Sequence, residues 1–442
     1  MLRLIPILLL LSSTLFAQKE DYIWHLGKDQ QPQEGIQAMQ VDFNKNSFHV
    51  EVRDFPVGFH HNNQAICDKN GALLFYTNGC AIVNRNHEIM PNGHRMNWDS
   101  LFTAVIGWNE DCRLGYPGTQ NLLILDDPGY EHGYYLFHKP GVLENIRENI
   151  FFEFRMSYVD MQLDNGLGDV VFVDSLLLEE EIPMWSYLSA VKHQNGKDWW
   201  ILQPLLHTNT ISKFLLDHNG IHRVSDQEVS IYFSEIESES RGTARFSPDG
   251  SQYAFFNRQD NLHLYDFDRE TGNLFNHQLI EVFNTPIARE NYKVGSVEWS
   301  SSGRMLYTCV DDSLYQIDTW AENLEDGIQF IDQYNGTLDP FPTTFRIMSL
   351  APDCKIYMCS GNGSDSYHVI HNPELVGKDC DFVQNGIKLP QHAGSANLPL
   401  PPRWRVDEED KCDSTISSIF GQLVYYKREL LTYPNPSTGV FN

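Results

Sequence analysis

The chain has 442 residues, with 32 Lys+Arg against 59 Asp+Glu and a formal net charge of −27. This excludes a nucleic-acid binder that works through a global basic surface. Hydrophobic residues at 41% and charged residues at 21% are ordinary globular usage, so the chain can bury a core and is not generically disordered. Aromatics reach 12%, from 26 Phe, 20 Tyr and 9 Trp, a content suited to pleated, half-buried surfaces.

Residues 1–17 read MLRLIPILLLLSSTLFA: one cation at Arg3, an apolar run from Leu4 to Leu11, three hydroxyl residues and a small residue at Ala17. This is the layout of a secretory signal peptide. The run falls well short of the roughly 20 apolar residues needed to span a bilayer, and Gln18-Lys19-Glu20-Asp21 turns polar at once. No Cys follows the run to receive lipid, and no later segment is long and apolar enough to span. The expected product is an exported chain starting near Gln18, with no transmembrane segment. Export bears on the eight cysteines, Cys67, Cys80, Cys112, Cys309, Cys354, Cys359, Cys380 and Cys412, because thiols outside the cytoplasm tend to pair. Eight cysteines allow 105 complete pairings, and the sequence chooses none of them. A zinc site from Cys354, Cys359, His368 and His371 is disfavoured, because an odd spacing on a strand puts the two thiols on opposite faces.

From there the chain is a series of short apolar runs separated by turn signals, with almost no long helical periodicity. One unit recurs: TARFSPDGSQYAFFN at 243–257, SVEWSSSGRMLYT at 296–308 and MSLAPDCKIYM at 348–358, each a strand, a four-residue turn and a second strand. The turns begin at Ser247, Ser300 and Ala351, a spacing of 53 and then 51 residues. Looser copies begin at Ala65, Asn121 and Ser189. A period near 50 with several strands per unit predicts an all-β chain forming a single β-propeller, in which four-stranded blades stack in a ring because none can bury its faces alone. The unit at 243–280 predicts strands at 243–246, 252–257 and 262–267, then a turn over Arg269-Glu270-Thr271-Gly272 before the outer strand. Six turns are legible. A further blade would come from the irregular stretch 161–171 or from N- and C-terminal strands closing the ring together, which makes seven blades, with six or eight as alternatives. A pair of β-sandwiches is the competing architecture.

The motif FSPDG followed by an apolar strand and LHLYDFDRETGNL resembles the WD40-like or TolB-like propeller repeat. The wider order LLFYTNG, NRNHEIMPNG, GYYLFH, VDMQLDNGLGDV, APDCKIYM and HNPELVGKDC is similar to propeller proteins exported by Bacteroidetes, gliding-motility-associated ones among them, over residues 22–405. That group implies no catalytic residues. At the other end, LTYPNPSTGVFN at 431–442 resembles the opening of the type A C-terminal sorting domain of the type IX secretion system, cut short of a complete domain. That resemblance implies release from, or attachment to, the outer surface of a Gram-negative bacterium, with the type IX machinery as a partner. The expected organisation is a signal peptide at 1–17, the propeller at 18–405, an acidic linker at 406–430 and a truncated sorting domain at 431–442.

In a propeller the loop that leads into each inner strand sits at the rim of the central channel. Counting back from the inner turns places His60, His61, Gln120, Trp185, Tyr187, Arg241, Lys293 and Arg346 there. Three cations on so acidic a chain predict a basic, aromatic-edged funnel for an anionic ligand such as an acidic glycan or a carboxylate-bearing peptide; the plainer alternative is that Arg241 and Arg346 pair with carboxylates of neighbouring blades. Catalytic and cofactor motifs are absent: no G-x-S-x-G, H-E-x-x-H, P-loop or G-x-G-x-x-G occurs. Adjacent His60 and His61 point to opposite faces of a strand, and Asp164, Asn165 and Asp169 lack EF-hand spacing, so neither set predicts a metal. No catalytic residue, metal or cofactor is expected. The expected function is a secreted or surface-displayed binding module for an extracellular glycan, peptide or envelope protein, with no nucleic-acid partner. The alternatives are an extracellular hydrolase or lyase working in the channel, and a structural component of a gliding or adhesion apparatus.

Overall fold

A computed structural model describes residues 18–27, 36–45, 48–59, 62–98, 112, 115–116, 118–145, 149–233, 242–257, 261–283, 295–310, 312–361, 363–393, 398–407 and 412. The strands assemble into seven consecutive antiparallel sheets, the blades of a seven-bladed β-propeller. The innermost strands are, in order, Ile23–Leu26, Gln64–Cys67, Leu122–Asp126, Ser189–Lys192, Ala244–Phe246, Gly295–Trp299 and Phe345–Leu350; Ile23–Leu26 runs opposite to Gln64–Cys67, its start bonded at the end of that strand through the Cys67 N–H and the Glu20 carbonyl (2.8 Å). Five blades have four strands. Blades 1 and 2 show three each among the described residues, and blade 3 carries an extra hairpin, Gly141–Asn145 with Asn149–Phe152, between its second and third strands. No described helix is long and apolar enough to cross a membrane.

Blade 5 follows the sequence expectation closely. Its strands are Ala244–Phe246, Gln252–Asn257, Asn261–Asp268 and Asn273–Ile280. Gly250 at φ 72° and Gly272 at φ 70° make turns that L side chains resist. Of the two predicted sources of the seventh blade, the irregular stretch supplies none and the N-terminal strands supply it. The stretch 161–171 is the turn and first part of the outermost strand of blade 3, between Arg155–Asp160 and Asp169–Leu176. Among the described residues the strands of the additional blade are all N-terminal, Ile23–Leu26, Ile36–Asp42 and His49–Phe55, with Leu398 and Leu400 packed in its apolar cluster.

Blades are held by their faces. Every neighbouring pair shares an apolar cluster, and the clusters close the ring: Tyr22, Trp24, Met39 and Phe43 of blade 1 pack with Ile347, Tyr357 and Tyr367 of blade 7. Trp24 meets Phe43 edge-on at 4.9 Å and Tyr357 at 6.2 Å. Each sheet is thus covered on both faces, which is why inner and second strands read as nearly continuous apolar runs rather than alternating ones. Blade 2 is tied internally by a Cys80–Cys112 disulfide, with Cα atoms 5.4 Å apart.

The chain does not stop at the last blade. Residues 398–407 run lengthwise through the ring. Ser349 Oγ donates to the Pro399 carbonyl (2.8 Å) and Arg245 Nη1 to the Pro401 carbonyl (3.0 Å). Arg403 pairs in parallel with Val191 and donates from Nε to the Phe246 carbonyl (2.9 Å). Leu398 and Leu400 lie beside Gln64 and Leu122, at the starts of their inner strands, and Trp404 lies beside Lys192, at the end of one, so the segment passes through the centre of the propeller. Val406 joins the apolar cluster between blades 4 and 5, and Asp407 accepts two hydrogen bonds from Arg269 at 2.8 and 3.0 Å.

Candidate functional site

Because the chain occupies its own channel, a site must lie at one of the two mouths or on a face. The mouth at the N-terminal ends of the inner strands holds a small recess of about 10 Å³, room for about one water molecule, lined by Asn62, Asn63, Gln64, Thr119, Gln120, Leu122, Leu398 and Leu400. Its polar lining is amide and hydroxyl, and its floor is the channel segment. The loops around it are held in uncommon backbone geometry. Gln120 (φ 53°), Ser186 (φ 67°) and Tyr187 (φ 65°) all occupy the left-handed region without being glycine, which for an aromatic residue is a true outlier. Gly118 is in the same setting at φ 115°, and a Cβ there would fall 2.0 Å from Asn121 Nδ2 and 2.3 Å from the Trp185 indole nitrogen.

Three interactions hold this arrangement. Asn121 Oδ1 accepts from the Ser186 N–H at 2.9 Å. The Lys139 ammonium donates to the carbonyls of Met184 (2.8 Å) and Ser186. Gln120 reaches across to blade 5, where its Oε1 accepts from the Ala244 N–H at 2.9 Å and its Nε2 donates to the Ala244 carbonyl at 2.5 Å. Lys139 is 1% exposed, and burial drives it well below the ordinary lysine range. A buried cation spent on carbonyl oxygens is an expensive way to hold a loop.

The rim residues predicted from sequence meet different fates. Gln120 borders the recess with its amide committed to Ala244. Trp185 is half-buried beside Gly118 and Asn121. Tyr187 is fully buried and stacks on Phe255 at 4.4 Å. Arg346 is half-buried on the inner strand of blade 7, its guanidinium against Gly361, and its carbonyl accepts from Ser296 Oγ at 2.7 Å. His60, His61, Arg241 and Lys293 lie outside the described residues.

The charges inside the channel escaped the sequence reading. Glu298 is completely buried between Arg245 and Arg403: Arg245 Nη2 stands 3.1 Å from Oε2, and Arg403 Nη2 binds Oε1. Glu298 also accepts from the N–H groups of Trp299 (2.8 Å) and Leu350 (3.1 Å). Burial raises its carboxyl, but the two guanidinium groups outweigh that and hold it below the ordinary range. Burial brings Arg245 down to about 10. A signal was present: Arg245, Glu298 and Ser349 occupy the same place, two residues before the turn starts at Ser247, Ser300 and Ala351. Inner-strand residues at that register face the axis. What could not be read was that residues 398–407 would meet them.

The opposite mouth is sealed by ion pairs. Arg405 grips Asp21 in a two-point pair (2.6 and 2.8 Å) and donates to the Gln18 carbonyl at 2.9 Å. Lys192 binds Asp126 at 2.8 Å and lies 4.0 Å over the Trp199 ring, which meets Trp404 edge-on at 4.9 Å. Beside them, burial, aided by nearby Asp21 and Asp126, pushes the Glu20 carboxyl up to about 7. Among the described residues no group of three or more His, Cys, Asp or Glu is placed to hold a metal ion.

No family model matches the sequence, and no curated protein matches it. Solved structures similar to it are of low identity. A Bacteroides uniformis protein named as a candidate 6-phosphogluconolactonase is 13% identical, with a TM-score of 0.47 over 85% of this chain and 98% of that one. A periplasmic gluconolactonase of Pseudomonas aeruginosa is 14% identical, with a TM-score of 0.40 over 85% and 98%. A β-propeller domain from Myceliophteria thermophila is 9% identical, with a TM-score of 0.37 over 78% and 92%. At such identities and TM-scores the likeness speaks to neither substrate nor activity.

Proposed function

We propose that this protein is an exported binding propeller that takes an extracellular glycan across the outer surface of the channel mouth around the amide-lined recess. The observation that carries the reading is the cluster of left-handed, non-glycine residues at this mouth, Gln120 on the recess and Ser186 and Tyr187 in the loop bonded to its neighbour Asn121. Strain of this kind costs about 1–3 kcal/mol per residue and persists where the surroundings over-determine it, which is commonest at binding and catalytic sites. Here the surroundings include a buried lysine, Lys139, committed to the loop's carbonyls.

The chemistry of the lining supports a sugar. The amides of Asn62 and Gln120 are committed to backbone groups, which leaves Asn63 and Gln64 as the lining amides of a type that both donates and accepts, as sugar hydroxyls do. An indole such as that of Trp185 presents an apolar face with a polar edge. A uronic-acid or sulfated glycan would also engage Arg346, at the start of the inner strand of blade 7, which is the route by which an acidic protein would take an acidic polymer. Export past residue 17, passage through the type IX machinery and residence at the outer-membrane surface belong to the same reading and rest on the two terminal segments.

A glycan array probed with the full chain tests it, followed by titration of any hit against Trp185→Ala and Arg346→Ala. The expected result is a loss of about tenfold or more in affinity for Trp185→Ala, equivalent to about 1.4 kcal/mol. Arg346→Ala should weaken acidic glycans and spare neutral ones. Affinity unchanged in both variants would sink the reading.

A further inference from the structure

Cys354 and Cys412 come together although 57 residues separate them in the chain. Cys354 sits in the turn after the inner strand of blade 7, at φ 64°, with its N–H bonded to the Ala351 carbonyl at 3.0 Å. Cys412 is 3% exposed and belongs to the apolar cluster between blades 6 and 7, against which Cys354 also packs. Both thiols lie in this one cluster, and Cys412 is the neighbour that acts most strongly on the Cys354 thiol. The remaining described thiols are engaged elsewhere: Cys309 donates to the Arg346 carbonyl (2.9 Å), Cys380 contacts Tyr307, Cys359 meets the backbone of Leu398 and Ile347, and Cys67 meets that of Ile23. The closed Cys80–Cys112 bond shows a chain already arranged for oxidation.

We propose that Cys354 and Cys412 form a second disulfide, which staples the chain just beyond its channel-filling segment to blade 7. The oxidant is a disulfide RS–SR, a small molecule or an oxidoreductase, met on export. The thiolate of half-exposed Cys354 attacks one sulfur, giving a mixed disulfide and releasing one RS⁻. The thiolate of Cys412 then displaces the second RS⁻. The protein loses two protons and two electrons, and RS–SR is reduced to two thiols. The neighbouring Cys412 thiol and burial hold the Cys354 thiol well above its usual range, so the bond should form slowly with small oxidants and faster with an oxidoreductase. Of the possible pairings, the structure then selects Cys80–Cys112 and Cys354–Cys412 and leaves four buried thiols reduced.

The test is peptide mapping by mass spectrometry on full-length protein oxidised until Cys80–Cys112 has closed, alkylated under denaturing conditions without reduction. The expected result is a peptide pair containing Cys354 and Cys412, lighter than the sum of its parts by two hydrogens. Alkylation of both thiols, or either one joined to another cysteine, overturns the proposal. A second measurement does not depend on mapping: in a Cys80→Ser, Cys112→Ser protein, reductant should still lower the thermal midpoint and expose the C-terminal segment to protease, and no change in either overturns the proposal.

Discussion

At the scale of single residues, the most consequential group is Glu298, a carboxylate with no solvent access that is shared by two arginines from different parts of the chain. A buried ion pair contributes little net stability relative to an apolar replacement, but breaking one by removing a single partner is costly, about 3–5 kcal/mol, because a charge is left uncompensated. Arg245→Ala should therefore destabilise by about that amount in urea unfolding. Arg403→Ala should cost less, since its side chain retains some exposure and water can reach the vacated place. Buried histidines set the acid limit. Burial lowers His25 to about 3, His138 to about 3 and His368 to about 4. Each folded-state value lies below the unfolded one near 6.5, so the native state binds fewer protons in that window. Stability is then fully present above pH 6.5 and is lost as pH falls toward 3–4, on the order of 3 kcal/mol per histidine. Glu20 works in the opposite sense: with its folded value raised to about 7, its contribution is present below pH 4.5 and lost as pH rises through 7. Thermal midpoints measured from pH 4 to pH 8 should rise steeply between 4 and 6.5, and Glu20→Gln should raise the midpoint at pH 8 while leaving it unchanged at pH 4.

At the scale of elements, the repeat motif and its turns were legible because they depend on local chemistry. Glycine at φ > 0 and Asp-Gly turns are written in three or four adjacent residues, and blade 5 matches its predicted strands to within a residue or two. Gly272 shows how a turn also serves packing. At φ 70° it presents its Cα to the Trp200 ring of the neighbouring blade, and a Cβ would fall 2.8 Å from it. Gly272→Ala should therefore cost more than the about 1 kcal/mol of a left-handed alanine alone, visible as a lowered urea midpoint. Misreading the stretch 161–171 as a blade had a physical cause: Gly166 and Gly168 with Asn165 at φ 56° are turn chemistry, and the same signals mark a turn within a blade as between blades. The N-terminal blade is legible only as one of two sources of a further blade, because its strands lack the turn motif that identifies the others. The left-handed Ser186 and Tyr187 could not be read either, since no residue type there announces positive φ; surrounding bonds from Asn121 and Lys139 impose it.

At the scale of the whole molecule, ring closure is a matter of faces and of a thread. Blades 1 and 7 share a core rather than a sheet, and residues 398–407 contact inner strands of blades 4, 5, 6 and 7 and the start of blade 1. Deleting everything after residue 397 should leave Glu298 with one arginine and Asp21 with none from the thread. The expected outcome is a drop in thermal midpoint of many degrees and faster hydrogen exchange in the inner strands of blades 4–6; a truncated protein as stable as the full chain would show that the thread is not structural.

Composition and local pattern determined the architecture: an all-β chain, a period near 50 residues, turns where Gly and Asp stand, and aromatic faces that only stacked blades can bury. The strand and the turn are decided within a few residues, so the sequence displays them directly. Tertiary structure alone decided what fills the channel, which charges meet there, which loop at the rim is held in strained geometry, and which cysteines face one another. Each of those depends on distant segments arriving at one place, as with Arg403 beside Glu298 and Cys412 beside Cys354, and such meetings are properties of the closed ring rather than of any stretch of chain.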